Sequence, residues 1–556
     1  MKISGAQIVA ETLIEQGCDT IFGYPGGQVL NIFDELYKKQ DKLEVVLTAH
    51  EQGAAHAADG YARVSGKVGV VIATSGPGAT NLVTGLATAN LDSVPIVAIT
   101  GNVPCDLLGL DSFQEVDIVD ITKSVTKKNF IVKDVNELAD TIRLAFRIAK
   151  SGRPSPVLID IPKDVQINLC DFENKKVEEL FSVPVASDDE INRAAEMIAQ
   201  SKKPYIYIGG GAIISEASEE IAALADKIDA PVGCTLMGLS AISEDNPRFL
   251  GMQGMHGRFS SSMAQNEADL IIAAGTRFSD RATGNKKKYA TNARIIHIDI
   301  DSKELNKNVS ANLGITADIK DTLRRICEKV SEKKNPVWTA RISELKTAEK
   351  GMLNYDGRLT PYRIISELSK KTTPDTVVAT DVGQHQMWTA QYYPFMNPRT
   401  FVTSGGLGTM GYGLGAAIGA NKATGKKTLL ITGDGSFGMN LNELATAVSQ
   451  GSSLVILVMN NNVLGMVRQW QTLFYGKRYS SSVLNRKTDF VKLAEAFGAE
   501  GMRVDTTDEL TIAVEKAFSS EGTFVIDCFV ESDEFVLPML PPGGSIDDII
   551  TKLENV

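Results

Sequence analysis

Two apolar runs constrain the architecture most. Leu429-Leu430-Ile431 leads into Thr432-Gly433-Asp434-Gly435-Ser436, and the run from Leu454 to Met459 leads into Asn460-Asn461-Asn462. Between them, the Leu, Ala and Val spacing of Leu441 to Ser449 suits a helix. Strand, helix and strand in that order make the two strands parallel and deliver both polar ends to one edge of a sheet. The Asp434 carboxylate and the Asn461 amide oxygen are hard donors suited to Mg²⁺. The glycines flanking Asp434 let a diphosphate approach the backbone closely. Gly-Asp-Gly alone also marks a turn, and Asn-Asn a loop. Together, at strand ends joined by a helix, they point to a metal–diphosphate site.

The same alternation fills the chain. Thr20 to Tyr24, Val45 to Leu47, Val68 to Thr74 and Pro95 to Thr100 read as buried strands, with helical patterns between them. A charged stretch follows, and then a second unit with strands at Pro204 to Ile208, Leu270 to Ala274 and Ile295 to Ile300. After another polar stretch, a third unit repeats the pattern of the first, with strands at Val377 to Asp381, Thr400 to Thr403 and Phe524 to Asp527. The expected class is α/β, with three doubly wound parallel sheets. The expected divisions are a first unit over 1–165, a linker over 166–189, and a central unit over 190–332. A second linker follows over 333–357, then a third unit over 358–535 and a tail over 536–556.

A net charge of −11 argues against nucleic acid, because phosphate binding needs concentrated Lys and Arg. The six cysteines form no Cys-x-x-Cys pair, which suits a reducing compartment, and the five histidines are too scattered for a zinc site. No run of about 18 apolar residues predicts a membrane span, and Met1 to Gln7 runs into a helical pattern rather than a signal peptide. A cytoplasmic location is expected.

Five other stretches carry chemistry. Gly406-Leu407-Gly408-Thr409-Met410-Gly411 has the form of a dinucleotide-binding turn, but Asp434 lies 28 residues past Gly406, beyond the usual ribose-binding position. Glu51 follows a strand end and opens a helix, where an acid is also favoured by the helix dipole alone. Arg277 and Arg281 follow a strand end and suit either a carboxylate or phosphate clamp or surface ion pairs. Met252 to Gly257 reads as a flat-ring pocket or a loop, and Trp470 as a pocket wall or a core residue.

Taken together, these residues resemble a family. Gly433-Asp434-Gly435 with Asn461, 27 residues on, is similar to the thiamine diphosphate signature, and Glu51 resembles the cofactor-activating glutamate. The stretches Thr74 to Asn81, Phe113-Gln114-Glu115, Gly383 to Trp388, Gly465 to Trp470 and Leu537 to Gly543 resemble the acetohydroxyacid (acetolactate) synthase catalytic subunits. Arg-Phe-Ser-Asp-Arg at 277–281 resembles the FAD contact of the biosynthetic branch. Ser279, Asn102 and Gly415 depart from that family, which usually has Asp, Gln and Pro there.

The resemblance implies decarboxylation of pyruvate and transfer of the hydroxyethyl carbanion/enamine to a second pyruvate or to 2-oxobutyrate, the first common step of branched-chain amino acid biosynthesis. It implies three cofactors, thiamine diphosphate, Mg²⁺ and FAD, and a homodimer or dimer of dimers whose sites lie between subunits. A separate small regulatory subunit is a possible partner. Glu51 would share a proton with the aminopyrimidine ring, in a first-unit pocket that includes Tyr24, Pro25, Gly26, Gly27, Thr74, Pro77 and Asn81. In the third unit, Val382, Gly383, Gln384, His385, Gly408, Met410, Gly433, Gly435, Ser436, Leu464, Gly465 and Met466 would surround the cofactor. Met410 would enforce its bend, and Asp434, Asn461 and the Val463 carbonyl would hold the metal. Val103, Phe113, Gln114, Lys163 and Met466 would line the substrate pocket, with Arg281 on the second substrate's carboxylate and Trp470 beside its alkyl group. FAD would meet Arg153, Gly209, Gly210, Gly211, Thr235, Leu236, Met252, Met255 and His256. It would also meet Gly275, Arg277, Asp280, Arg281, Asp299, Ile300 and Asp318. The rival readings are a pyruvate oxidase-like enzyme with the same cofactors and, more remotely, a nicotinamide-dependent dehydrogenase.

Overall fold

In the computed structural model, which describes residues 2–352 and 358–552, each unit is built on a six-stranded sheet whose neighbouring strands run parallel. From edge to edge the first sheet runs Glu44–Leu47, Thr20–Tyr24, Gly69–Ala73, Ile96–Asn102, Val157–Pro162 and Lys128–Ile131. The third runs Phe401–Val402, Val378–Thr380, Thr428–Gly433, Leu454–Asn460, Phe524–Phe529 and Glu500–Val504. Counted in chain order within its unit, each has the order 2-1-3-4-6-5. The central sheet runs Phe249–Met252, Val232–Cys234, Pro204–Ile208, Leu270–Ala274, Arg294–Asp299 and Leu313–Thr316, which is the order 3-2-1-4-5-6 of dinucleotide-binding sheets.

Strands covered on both faces are apolar at every position rather than at alternate ones. In Leu454–Asn460, Val455, Leu457 and Met459 join one core cluster and Leu454, Ile456 and Val458 another. Val70 and Ile72 are likewise split from Val71 and Ala73 in the first sheet, and Ile206 and Ile208 from Tyr205 and Tyr207 in the central one. Each sheet is therefore doubly wound. One cluster continues from the central sheet through Trp388, Tyr393 and Phe395 into the third, so those two units share a core.

Strand order places three crevices. Where the chain winds outward in both directions from a sheet's first strand, the carboxyl ends of neighbouring strands leave a gap. These gaps lie between Tyr24 and Thr74, between Ile208 and Gly275, and between Thr380 and Asp434. The first and third units are joined by helices Glu51–Ser65 and Gly413–Thr424, which touch backbone to backbone. A Cβ on Gly60 would lie 2.1 Å from the Ala416 carbonyl oxygen, and one on Gly419 would lie 1.9 Å from that of Ala57.

Several expectations need correction. The stretch read as a linker over 333–357 contains helix Pro336–Lys350, whose Trp338, Ile342 and Leu345 are buried in the central unit. The boundary placed at 357 lies outside the described residues. The linker over 166–189 begins with the end of helix Lys163–Ile167 and with strand Leu169–Asp171, which pairs antiparallel with Lys2–Ser4. The helix expected over Leu441 to Ser449 is present as Glu443–Ser449, and a further, unexpected helix, Asp434–Asn440, precedes it, so Asp434 opens a helix. The tail crosses the third and central units: the Val536 N–H donates to Gln469 Oε1 at 2.9 Å and the Leu540 N–H to the Met255 carbonyl at 2.7 Å. Residues 553–556 of the expected tail lie outside the described residues. Among the described residues no helix is long and apolar enough to cross a membrane.

Candidate active site

In the first crevice, the two strand ends interlock. A Cβ on Gly26 would lie 2.5 Å from the Thr74 methyl group, and the Gln28 N–H donates to Thr74 Oγ1 at 3.2 Å. Helix Glu51–Ser65 is capped by His50, whose Nδ1 accepts from the Gln52 N–H at 3.1 Å. The Glu51 carboxylate is thus not needed as the cap. It accepts instead from Asn81 Nδ2 at 2.9 Å, from the last residue of helix Pro77–Asn81. Glu51 is half-buried in the single chain rather than buried. Among the described residues, no hydrogen bond or ion pair links Tyr24, Glu51, Thr74 or Asn81 to Gln384, His385, Asp434 or Asn461.

Lys163 and Gln114 approach the same crevice. Lys163 Nζ donates to the Gly27 carbonyl at 3.1 Å. Gln114 has a φ of 58°, and its carbonyl oxygen would lie 2.7 Å from a Cβ on Gly76, so its loop closes over the Thr74-to-Asn81 turn. Val103 is buried nearby in sequence, after a strand, whereas Phe113 is 84% exposed.

Two strands away from that crevice, in Val157–Pro162, the first sheet holds a buried acid the sequence reading missed. Asp160 is buried and accepts from Thr100 Oγ1 and Asn102 Nδ2, both at 2.6 Å. Burial pushes its carboxyl up to about 7, against those two donors. A carboxyl raised in the folded state costs stability as pH climbs from its unfolded value to its folded one. Asp160→Asn, which stays neutral, is therefore expected to gain thermal stability over the parent between about pH 4 and pH 7 and to hold that gain above pH 7. Melting curves across that range test it; a gain that shrinks with rising pH contradicts it.

In the third crevice, Asp434 is buried, and desolvation raises its carboxyl to about 6 against the backbone amides of Asn461, Asp434, Gly435 and Asn462. Asn461 Oδ1 accepts from the Val463 N–H at 3.2 Å and its Nδ2 donates to Gln384 Oε1 at 3.3 Å. The donor set is one carboxylate, one amide oxygen and one carbonyl, and among the described residues no cluster of three His, Cys, Asp or Glu competes for a metal. A buried carboxylate with no cationic side chain beside it fits a hard divalent cation. The buried His385 Nε2 has no partner, and Ser436 Oγ donates to the Val382 carbonyl at 2.7 Å. A Cβ on Gly465 would lie 1.9 Å from Gln384 Oε1, so that glycine makes room for the amide. Met410 reaches the same place: its Cε lies 3.8 Å from a Cβ built on Gly435, and Leu464 crowds the same point at 2.9 Å.

Two positioning residues were not singled out from sequence. Asp381 accepts from the Gly411 N–H at 2.8 Å and the Gly413 N–H at 3.3 Å, which holds the Met410 loop. Gln469 accepts from Gln384 Nε2 at 3.0 Å. The Gly406-to-Gly411 motif does not form a dinucleotide turn. The Gly405 and Gly406 amides donate to the Asp92 carboxylate at 3.0 and 2.7 Å, and Asp381 takes Gly411, so these amides are not free for a pyrophosphate.

The central crevice opens into a cleft lined by Arg153, Gly210, Gly211, Gly275, Arg277, Asp299, Ile300 and Asp318. Gly209 and Gly211 face Gly275 at a separation no side chain would fit: Cβ atoms there would lie 2.1 Å from its oxygen and 2.7 Å from its Cα. The Arg277 guanidinium has no hydrogen bond or ion pair among the described residues, and burial with the nearby Arg153 lowers its pKa. That unpaired positive charge fits a dinucleotide's diphosphate. Arg153 itself pairs with Glu304 at 3.0 Å. The Asp318 carboxylate caps helix Ile319–Lys329, accepting from the Asp321 N–H and from Ser215 Oγ, so its lining role falls to the rest of the residue. Thr235 Oγ1 is likewise used on the Gly238 N–H, with Leu236 next in the chain. Met252 ends its strand and Met255 and His256 follow it; all three are buried, and His256 Nδ1 has no partner.

The remaining residues expected at the substrate meet within one chain. The Arg281 guanidinium lies 5.7 Å from the centroid of the Trp470 ring. Trp470 stands one turn beyond Met466 on helix Gly465–Phe474, and its buried Nε1 has no partner. Asp280 pairs with Arg281 at 3.2 Å at the surface.

Three thiamine pyrophosphate enzyme family models match consecutive parts of the chain: the N-terminal TPP binding domain over residues 3–121, the central domain over 191–326 and the C-terminal TPP binding domain over 381–528. The chain is 44% identical to a probable acetolactate synthase large subunit of Methanocaldococcus jannaschii, covering 99% of this chain and 96% of that one. It is 42% identical to the acetolactate synthase isozyme 2 large subunit of Escherichia coli, covering 99% and 100%. It is 45% identical to the acetolactate synthase large subunit of Corynebacterium glutamicum, covering 99% and 90%.

Proposed function

The chain belongs to the acetolactate synthase large subunits, a family of thiamine pyrophosphate enzymes, and from that membership we propose how its residues divide the work of making 2-acetolactate. When bound, thiamine diphosphate supplies the carbon nucleophile that releases CO₂ from pyruvate and passes the remaining two carbons to a second 2-keto acid. Glu51, oriented by Asn81, holds the proton shared with the aminopyrimidine ring and so serves as the acid–base group. Asp434, Asn461 and the Val463 carbonyl hold Mg²⁺. His385, whose buried Nε2 has no other partner, and Ser436 stand beside the diphosphate, while Gln384 orients Asn461. Met410 packs over Gly435 and would support the cofactor when it is bound.

Arg281 binds the second substrate's carboxylate, and its stacking on Trp470 places an aromatic wall beside the alkyl group that separates 2-oxobutyrate from pyruvate. Gln114 and Lys163 approach from the first-unit side. Neither set is complete without the other, and the two lie in different parts of one chain. This supports a homodimer, or a dimer of dimers, in which the first unit of one subunit meets the third unit of its partner. The exposed Phe113 fits such a seam. The FAD assignment rests on the central sheet's strand order and the unpaired Arg277, and FAD there has no net redox role. A small regulatory subunit and a cytoplasmic location complete the proposal.

The separation of the Glu51 and Asp434 clusters within one chain carries this reading. Product analysis tests it. With pyruvate, thiamine diphosphate and Mg²⁺, run with and without FAD, the purified protein is expected to form acetolactate, which acid converts to acetoin. With 2-oxobutyrate added, 2-aceto-2-hydroxybutyrate is expected as well. Oxygen-dependent acetate or acetyl phosphate in place of acetolactate would favour a pyruvate oxidase-like enzyme instead.

A further inference from the structure

Glu443 opens helix Glu443–Ser449 of the third unit and is completely buried, yet none of the roles above uses it. Its carboxylate reaches out of its own unit. Oε2 accepts from the Ala49 N–H at 3.2 Å, two residues before Glu51. The His50 amide is a further backbone donor, and together these donors oppose the rise in pKa that burial imposes. Thr446, one turn on, donates its hydroxyl to the same oxygen at 2.6 Å and accepts from the Ala49 N–H at 3.0 Å. The other oxygen, Oε1, is buried without a hydrogen-bond partner and lies against Gly53, where a Cβ would come within 2.1 Å of it. Residues 49, 50 and 53 thus bracket Glu51 and all face one carboxylate from another unit.

Seam packing alone does not call for this arrangement. A buried carboxylate with one unpartnered oxygen is penalised, and an apolar side chain would close the same space with less penalty. A charged acceptor does something an apolar group cannot: it fixes the direction of two consecutive backbone N–H groups. We propose that Glu443 is a positioning residue for the reaction, gripping the Ala49–His50 turn from the third unit and setting where the Glu51 carboxylate stands. This rests on the role given to Glu51 above.

The test uses holoenzyme loaded with thiamine diphosphate, Mg²⁺ and FAD. Three quantities are read: kcat, KM for pyruvate, and the rate at which the bound cofactor's thiazolium C2 proton exchanges with deuterated solvent, followed by NMR after acid quench. Glu443→Ala is expected to lower kcat and the exchange rate together by about 100-fold, the scale of an ångström-sized misplacement, with KM within about twofold. Glu443→Gln keeps an acceptor oxygen at the same reach and is expected to stay within about fivefold of the parent. If Glu443→Ala does not accumulate folded, Thr446→Val is read instead, with an expected loss of about tenfold in both rates. Equal losses in the Ala and Gln variants, a change confined to KM, or an unaltered exchange rate overturns the proposal. Glu51→Gln is measured alongside. If it keeps its exchange rate, the role of Glu51 fails; if it loses exchange while Glu443→Ala and Thr446→Val keep theirs, only the role of Glu443 fails.

Discussion

Glu51→Gln is expected to lower turnover about a thousandfold, within the range that general acid–base catalysis contributes, while the protein folds as before. The substitution changes little but the proton. Glutamine keeps the length of the side chain and an oxygen for the Asn81 Nδ2 donor, and the helix start is secured by His50 rather than by Glu51. What it loses is an ionisable group to share a proton with the cofactor ring. Steady-state kinetics at saturating cofactor, set beside a melting curve, read the two effects separately. Unchanged turnover would remove Glu51 from the mechanism, and a matching fall in melting temperature would mark it as structural.

Asp434→Ala is expected to act on binding instead. Removing the one carboxylate of the metal site should weaken Mg²⁺-dependent thiamine diphosphate binding by about 100-fold or more, since even outer-shell changes at metal sites cost about 10–100-fold. Titration calorimetry at fixed Mg²⁺ measures it, and retained affinity would count against the metal assignment. The apo protein should not suffer equally. Asp434 is raised to about 6 by burial, so its charged form is a penalty that grows as pH climbs from about 4 to 6 and persists above. At pH 8 the apo variant is therefore expected to melt no lower than the apo parent on this account. The two substitutions thus separate by readout: one spares affinity and the other spares the chemistry's proton.

Much of this was legible in the sequence because it is local. A strand buried on both faces shows as an unbroken apolar run, and Leu454 to Met459 or Pro204 to Ile208 could hardly be anything else. Asp434 and Asn461 sit at the ends of such runs, so the fold brings them to one edge without long-range information. The failures are instructive in the same terms. Pro336–Lys350 presents one narrow apolar stripe, Trp338, Ile342 and Leu345, within an otherwise polar stretch, so composition hid it. Short strands such as Val232–Cys234 and Leu313–Thr316 carry too few residues to show a pattern. Nothing local marks Asp92 and Glu443, because the backbone amides they hold lie more than 300 residues away in the chain. Covariation across that distance would be the signal for them.

The crossing of Glu51–Ser65 with Gly413–Thr424 has a kinematic consequence. Where side chains separate two helices, rotamer changes allow the bodies to slide; where glycine brings main chain onto main chain, as at Gly60 and Gly419, there is no such slack. First and third units therefore move as one lever arm, with no hinge at that joint. If two chains pair as proposed, the spacing between each activating carboxylate and the opposite metal site depends on a single adjustable contact, the one between subunits. Errors do not accumulate over two joints, and any strain applied at one pocket is handed through the rigid arm to the other.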